Sequence, residues 1–247
     1  MIKKSNLKKA LADTALIIIS VPVDKAPEIL NEVLDNIKPG QTVMDVGSIK
    51  ANICNHISGH PNRSQFVASH PIAGTEYSGP DAAHYYLFDG KVNIITDKGA
   101  SDEESLSVVE KLFKTLKMNT IYMDAEEHDR HIAYVSHLSH ITSFTLGLTV
   151  LDLEKDEKSI FNMAGSGFES TVRLAKSSPD MWAPIFNENK NNLTDAIDAY
   201  IEKLNQLKQR IEAGDTNGTH QTITEANQIK RILDGIELKN QEATIKK

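Results

Sequence analysis

The chain has 247 residues, 40% hydrophobic and 25% charged, the make-up of a globular protein with room for one large domain or two modest ones. Its 27 Lys and Arg against 34 Asp and Glu give a formal charge of −7, and with no basic block beyond a "KK" near each end, nucleic acid is excluded as a partner. Cys54 is the single cysteine, which excludes a disulfide framework and a thiolate metal cluster; its place in "IKANICNHI" reads as a half-buried helix position. The basic start "MIKKSNLKKALADT" is followed by no apolar signal region, and the run "ALIIISVPV" is too short to span a bilayer. A cytoplasmic protein with no membrane partner is expected.

In chain order, "ALIIISVPV" (15–23) reads as a buried strand and "APEILNEVLDNI" (26–37) as an amphipathic helix. "TVMDVGS" (42–48), "FVASHPI" (66–72), "VNIITD" (92–97) and "NTIYMD" (119–124) read as further strands, with a helix from about Asp102 to Lys117. Near-continuous apolar strands alternating with helices imply a mostly parallel sheet covered on both faces. After Asp124 no strand pattern recurs. "AEEHDRHIAYVSHLSHITSFTLGLTVLDL" reads as one long helix, "PDMWAPIFNENKNNLTDAIDAYIEKLNQLKQRIEAG" as one or two more, and a polar tail helix is expected over 220–236. The boundary falls near residue 124, giving an α/β domain at 1–124 and an all-helical domain at 125–247, whose wide apolar faces suit a second copy of the chain.

In such a sheet, ligands bind outside the carboxyl ends of the strands. The first strand ends in Val21 and Pro22, the second in Ser48, the third in His70 within "VASHPIAGTEYSG". Ser48 suits the N-cap of the helix "IKANICNHI", and its hydroxyl and the free amides there can also meet a ligand. His70 could donate to a backbone carbonyl at a turn; alternatively, it and Ser48 share one sheet edge as a site. His128 and His131 sit among charges in "EEHDRH" and read as a solvated face. His137 and His140 share a helix face in the apolar "YVSHLSHITSF", and they either satisfy one another or line a polar pocket. Without a carboxylate or cysteine set they make no metal site. Gly165 and Gly167 allow close approach of backbone to a ligand, and Arg173 beside them is either an exposed ion-pairing residue or a carboxylate clamp.

"DVGSIK", "SHPIAGTEYSG", "HDRHIAYVSHLSH" and "FESTVRLAKSSPDMW" occur in this order at the spacing of one family, and from about Ala12 to Gly214 the chain resembles the prephenate dehydrogenases, a family that includes arogenate dehydrogenases. The resemblance implies an incomplete Rossmann-like parallel-sheet domain followed by an all-helical dimerisation domain. It also implies oxidative decarboxylation of prephenate to 4-hydroxyphenylpyruvate with NAD or NADP, in tyrosine biosynthesis, by a homodimer, with arogenate as the substrate of some relatives. His70 matches the family base that takes the proton of the ring hydroxyl as hydride leaves. Ser48 matches the serine that orients it and contacts substrate and nicotinamide, with Val21 and Pro22 on the cofactor side. Arg173 matches the arginine for a substrate carboxylate, and His140 a histidine of the substrate pocket, with His137 and Gly165 supporting. Two departures stand out. No strand–GxGxxG–helix unit occurs, so a catalytically silent dimeric module holding prephenate or tyrosine is the alternative. Ser170 stands three before Arg173, where some relatives have an acid.

Overall fold

The computed structural model describes residues 4–74, 82–155 and 160–235. The stretch "TEYSGPD" (75–81), which holds part of the glycine-flanked motif after His70, lies outside the described residues, as does the end of the tail. The chain forms two compact units, residues 1–193 and 194–247.

In the first unit, β1 (Leu16–Ile19), β2 (Thr42–Asp45), β3 (Phe66–Ile72), β4 (Val92–Thr96) and β5 (Asn119–Met123) lie in that order across one sheet. β1–β2, β2–β3 and β4–β5 pair in parallel, whereas β4 runs antiparallel to β3 and sets Ile94 opposite His70. The sheet is mostly parallel, as the strand pattern implied. β2 and the first half of β3 are wholly buried, apolar but for Thr42, Asp45 and Ser69.

Helix α1 (Lys4–Leu11), α2 (Ala26–Leu34) and α3 (Ala51–His56) supply Leu11, Leu30, Leu34, Ile53 and Cys54 to a core shared with Ile19, Val43 and Phe66. α4 (Glu103–Thr115) packs Val109 and Phe113 with Met44, Val67 and Ile95 in a second core. Each fully buried apolar side chain contributes roughly 1.5–3 kcal/mol. The α4 helix starts where the Asp102 carboxylate accepts from Ser105 N at 2.7 Å, and α5 (Ala125–Ile132) where Asp124 accepts from Glu127 N at 2.6 Å.

The long helix expected after Asp124 is interrupted. A π turn over Ala133–His137 joins α5 to α6 (Leu138–Glu154), and the extra residue re-aims the side chains that follow it. α7 (Ser166–Val172) runs into a 3-10 turn, Arg173–Lys176, that packs on α6. α8 (Pro179–Glu188) brings Trp182 and Ile185 against Ile49, Val23 and Phe144, which ties the helices to the carboxyl ends of the strands.

α9 (Lys190–Glu212) lies mostly in the second unit. There it is followed by α10 (Thr216–Ala226), where the Asp215 carboxylate accepts from Gly218 N at 2.8 Å. Among the described residues no helix is long and apolar enough to cross a membrane.

Candidate active site

β2 ends at Asp45, whereas β3 last pairs with it at Val67 and runs on to Ile72, so that His70 lies three residues past that pairing, next to Ser69, which bonds Asp45. A buried ion pair holds this corner. Lys50 Nζ bonds Asp45 Oδ2 and donates to Ser69 O at 2.7 Å, with both side chains essentially inaccessible. Asp45 also accepts from Gly47 N at 2.9 Å and Ser69 N at 3.2 Å. Each member of the pair thus has hydrogen-bond partners besides the other, as a buried pair requires.

Among the described residues, the His70 ring bonds no backbone carbonyl. Its Nδ1 lies 2.8 Å from Nε2 of His128, whose Nδ1 lies 2.7 Å from Asp129 Oδ1. The solvated-face reading of His128 is therefore corrected: it is 1% exposed, because α5 turns it onto the end of β3. His131, one turn along, is exposed. Asp129 in turn accepts from Lys50 N and Ala51 N, each at 2.8 Å, the first amides of α3.

That last contact corrects a second expectation. The N-cap position of α3 is Lys50, not Ser48, and the capping oxygens come from Asp129 across the structure. Ser48 is half-buried in the turn ahead of the helix, and no hydrogen bond joins it to His70 among the described residues.

Burial drives the His70 pKa well below its ordinary value, and the neighbouring His128, Lys50 and His137 push the same way. His70 is thus held neutral, a state able to accept a proton.

His137 and His140 do not satisfy one another. Asn189 Nδ2 donates to Asp129 O at 2.7 Å and lies 3.3 Å from His137 Nδ1, so the His137 proton sits on Nε2, which is buried and meets no partner. Burial lowers the His137 pKa to about 4. His140 Nδ1 donates to Ser136 O at 3.0 Å, and its ring stacks on Trp182 at 3.5 Å. Burial lowers its pKa too; the Ser136 bond opposes the shift and Arg173 reinforces it.

Arg173 is exposed at the start of the turn on α6, within electrostatic reach of His140. Gly165 precedes α7 with φ −99°, and a Cβ on it or on Gly167 would meet nothing within 4 Å, so both border open space. Ser170 is turned back onto its own helix, donating to Gly167 O at 2.9 Å. Val21 and Pro22 form the exit of β1, where Pro22 O accepts from Lys25 N and Ala26 N. Cys54 is fully inside, its thiol pushed up to about 12 by burial and inert.

The structure thus gathers His70, His137 and His140 about the strand ends, with Arg173 flanking His140. It adds Lys50, His128, Asp129, Trp182 and Asn189, which sequence reasoning passed over. The only signal for them was charge and imidazole on otherwise amphipathic helices.

A nucleotide-binding type of α/β sheet whose terminal histidine is completed by following helices defines a two-part protein of Rossmann-like class. Residues 2–122 match the family described as prephenate dehydrogenase, nucleotide-binding domain, and residues 124–225 the prephenate dehydrogenase, dimerization domain. The chain belongs to the prephenate dehydrogenase family. It is 29% identical over 233 residues to a prephenate dehydrogenase of Bacillus subtilis, covering 94% of this chain and 62% of that protein. A Lactococcus lactis prephenate dehydrogenase is 28% identical over 236 residues, with 94% of this chain and 64% of that protein covered. The chain therefore spans less than two thirds of the length of these relatives. The crystal structure of prephenate dehydrogenase from A. aeolicus, in complex with hydroxyphenyl propionate and NAD+, superposes with a TM-score of 0.84 at 31% identity, covering 94% of this chain and 80% of that one.

Proposed function

We propose that this chain oxidises prephenate with NAD or NADP, releasing carbon dioxide and 4-hydroxyphenylpyruvate, with His70 as the base. The observation that carries the reading is His70 itself: a neutral imidazole fixed through Nδ1 at a strand end, its Nε2 bonded to no described residue. A silent binding module would have no use for so constrained a base. Membership of the family, and a relative solved with NAD+, support the same chemistry.

The residues fit one end of the cofactor. The exits of β1 and β2, with Val21, Pro22 and Ser48, suit a nicotinamide ring, and Asp24 Oδ1 at the β1 exit is buried with no donor, a place for a ligand amide. The 247 residues supply no GxGxxG turn for a pyrophosphate, and the α3 amides that could serve an anion are occupied by Asp129. When bound, the nicotinamide supplies the hydride acceptor.

The chain's own residues do the rest. His70 Nε2 takes the proton of the ring hydroxyl, so that the carbinol C–H leaves as hydride; the ring carboxylate then departs as carbon dioxide and its bonding pair enters the ring, which becomes aromatic. Arg173 pairs with a substrate carboxylate, and His140, donating through Nδ1, offers Nε2 as an acceptor. His137 Nε2–H is a neutral donor, and Gly165 leaves room beside the clamp. Arogenate carries the same ring hydroxyl and is accommodated by the same base. The division of labour falls near residue 124, with substrate-holding and dimerisation on the helical side. Leu148 and Leu151 of α6, exposed on the monomer, support a second copy there.

The test is prephenate-dependent reduction of NAD and of NADP by the purified chain, with and without His70→Asn. Turnover that the substitution lowers at least ~10²-fold, with prephenate binding retained, is expected. Turnover unchanged by the substitution, or none with either cofactor while prephenate still binds, overturns the reading.

A further inference from the structure

We infer that Asp129 and His128 are positioning residues that fix which nitrogen of His70 carries its proton. The inference rests on the reading of His70 as the base.

The argument runs from the anchored end. Asp129 is 2% exposed, and its carboxylate accepts from Lys50 N and Ala51 N at the start of α3, which fixes its position. A carboxylate only accepts, so His128 Nδ1, 2.7 Å away, carries a proton. In a neutral imidazole the other nitrogen is then a lone pair, and His128 Nε2 accepts across 2.8 Å from His70 Nδ1–H. His70 is left with Nε2 bare. The arrangement spans three elements: α3 sets Asp129, α5 carries Asp129 and His128, and β3 carries His70. Asn189 adds a fourth by holding the Asp129 carbonyl at 2.7 Å. Among the described residues, the other charged or titratable groups acting on His70 are Lys50, which is paired with Asp45, and His137.

An imidazole free in water favours the opposite tautomer, with its proton on Nε2. A base in that form has nothing to accept a proton with on the substrate side. His128 and Asp129 therefore convert His70 from a minority competent form into a fixed one, and once Nε2 takes a proton, the Nδ1 proton can pass to His128 beside the Asp129 carboxylate.

The experiment is nitrogen-15 NMR of the histidine rings in the full chain, with the His70 signals assigned by their loss in His70→Asn. Wild type is expected to show His70 protonated on Nδ1 at neutral pH. His128→Phe removes the acceptor, and Asp129→Asn lets an amide N–H reverse the chain of donors; in both, the His70 proton is expected to move to Nε2. With two variants of different chemistry, one that fails to fold leaves the other to decide. Where turnover is measurable, kcat is expected to fall ~10-fold or more with KM within ~3-fold, and the acid limb of the kcat profile to shift, which loss of packing alone would not produce. His70 protonated on Nε2 in wild type, or on Nδ1 in a folded variant, overturns the inference. So does a tautomer switch that leaves kcat unchanged. Absence of turnover in wild type beside the expected tautomers sinks the functional reading and leaves the positioning role standing.

Discussion

The two walls around His70 differ in how complete they are. On the sheet side, the side-chain groups from His70 Nδ1 through His128 and Asp129 to α3, and from Asp45 through Lys50 to Ser69, have their partners in place. On the helical side, His137 Nε2, Trp182 Nε1 and Ser143 Oγ are buried with none, and Gly165 and Gly167 face open space. An unmade buried hydrogen bond costs about 1–3 kcal/mol, so the helical wall stores a cost that a ligand with acceptors would recover. The network behind His70 is already hydrogen-bonded, although Asn93 of β4 and Asp24 Oδ1 leave the sheet side with unpartnered buried atoms of its own. On the proposed reading, the base is held by bonds made before the substrate binds.

The largest effect that would break this contrast is on the sheet side. Lys50→Met leaves the Asp45 carboxylate buried without its cation and is expected to cost about 3–5 kcal/mol of stability, read from urea unfolding. A loss under ~1 kcal/mol would mean that this wall is not held by its ion pair. On the helical side, the His137 pKa of about 4 lies below its ordinary value, so the unfolded chain takes up the proton first as pH falls. Stability is then fully present above about pH 6.5 and declines by roughly 3 kcal/mol toward pH 4 on this group's account. His70 and His140, shifted the same way, add to the decline. His137→Leu is expected to remove about one proton's worth of that slope. An unchanged slope would show that His137 does not titrate as a buried neutral donor.

Arg173→Ala comes next. If Arg173 is the clamp proposed above, KM for prephenate is expected to rise ~10–100-fold with kcat within ~3-fold. A fall in kcat at constant KM would move Arg173 from the holder to the chemistry.

The sheet wall was also the more legible one, but only in its backbone. Apolar β-branched runs located all five strands, and Asp102 and Asp124 stood where their helices begin. His70 was readable because a strand end limits where a side chain goes. His128 was not: its neighbours Glu126, Glu127, Asp129 and Arg130 describe a solvated helix face, and the partner that buries it is 58 residues away. Lys50 was passed over for the same reason, since a charged residue is assigned to the surface until its counter-ion is located in space. The antiparallel turn of β4 left no trace in its pattern, because a buried strand is apolar in either direction.

Ser48 carries the smallest expected effect and the sharpest test of how the sheet wall is built. Its position before a helix reads locally as a cap, and capping serines lose about 0.5–2 kcal/mol when replaced by alanine. In the structure α3 is capped by Asp129, whose two oxygens take the first amides, and Ser48 lies outside the helix. Ser48→Ala is therefore expected to change unfolding free energy by less than ~0.5 kcal/mol. If Ser48 meets the ligand as proposed, its removal is expected to show in prephenate or nicotinamide affinity. A stability loss near 1 kcal/mol with affinities unchanged would return Ser48 to the helix and leave Asp129 as a secondary cap. A stable variant with weakened affinity would mean that the helix start is secured from α5, leaving the serine free for the ligand.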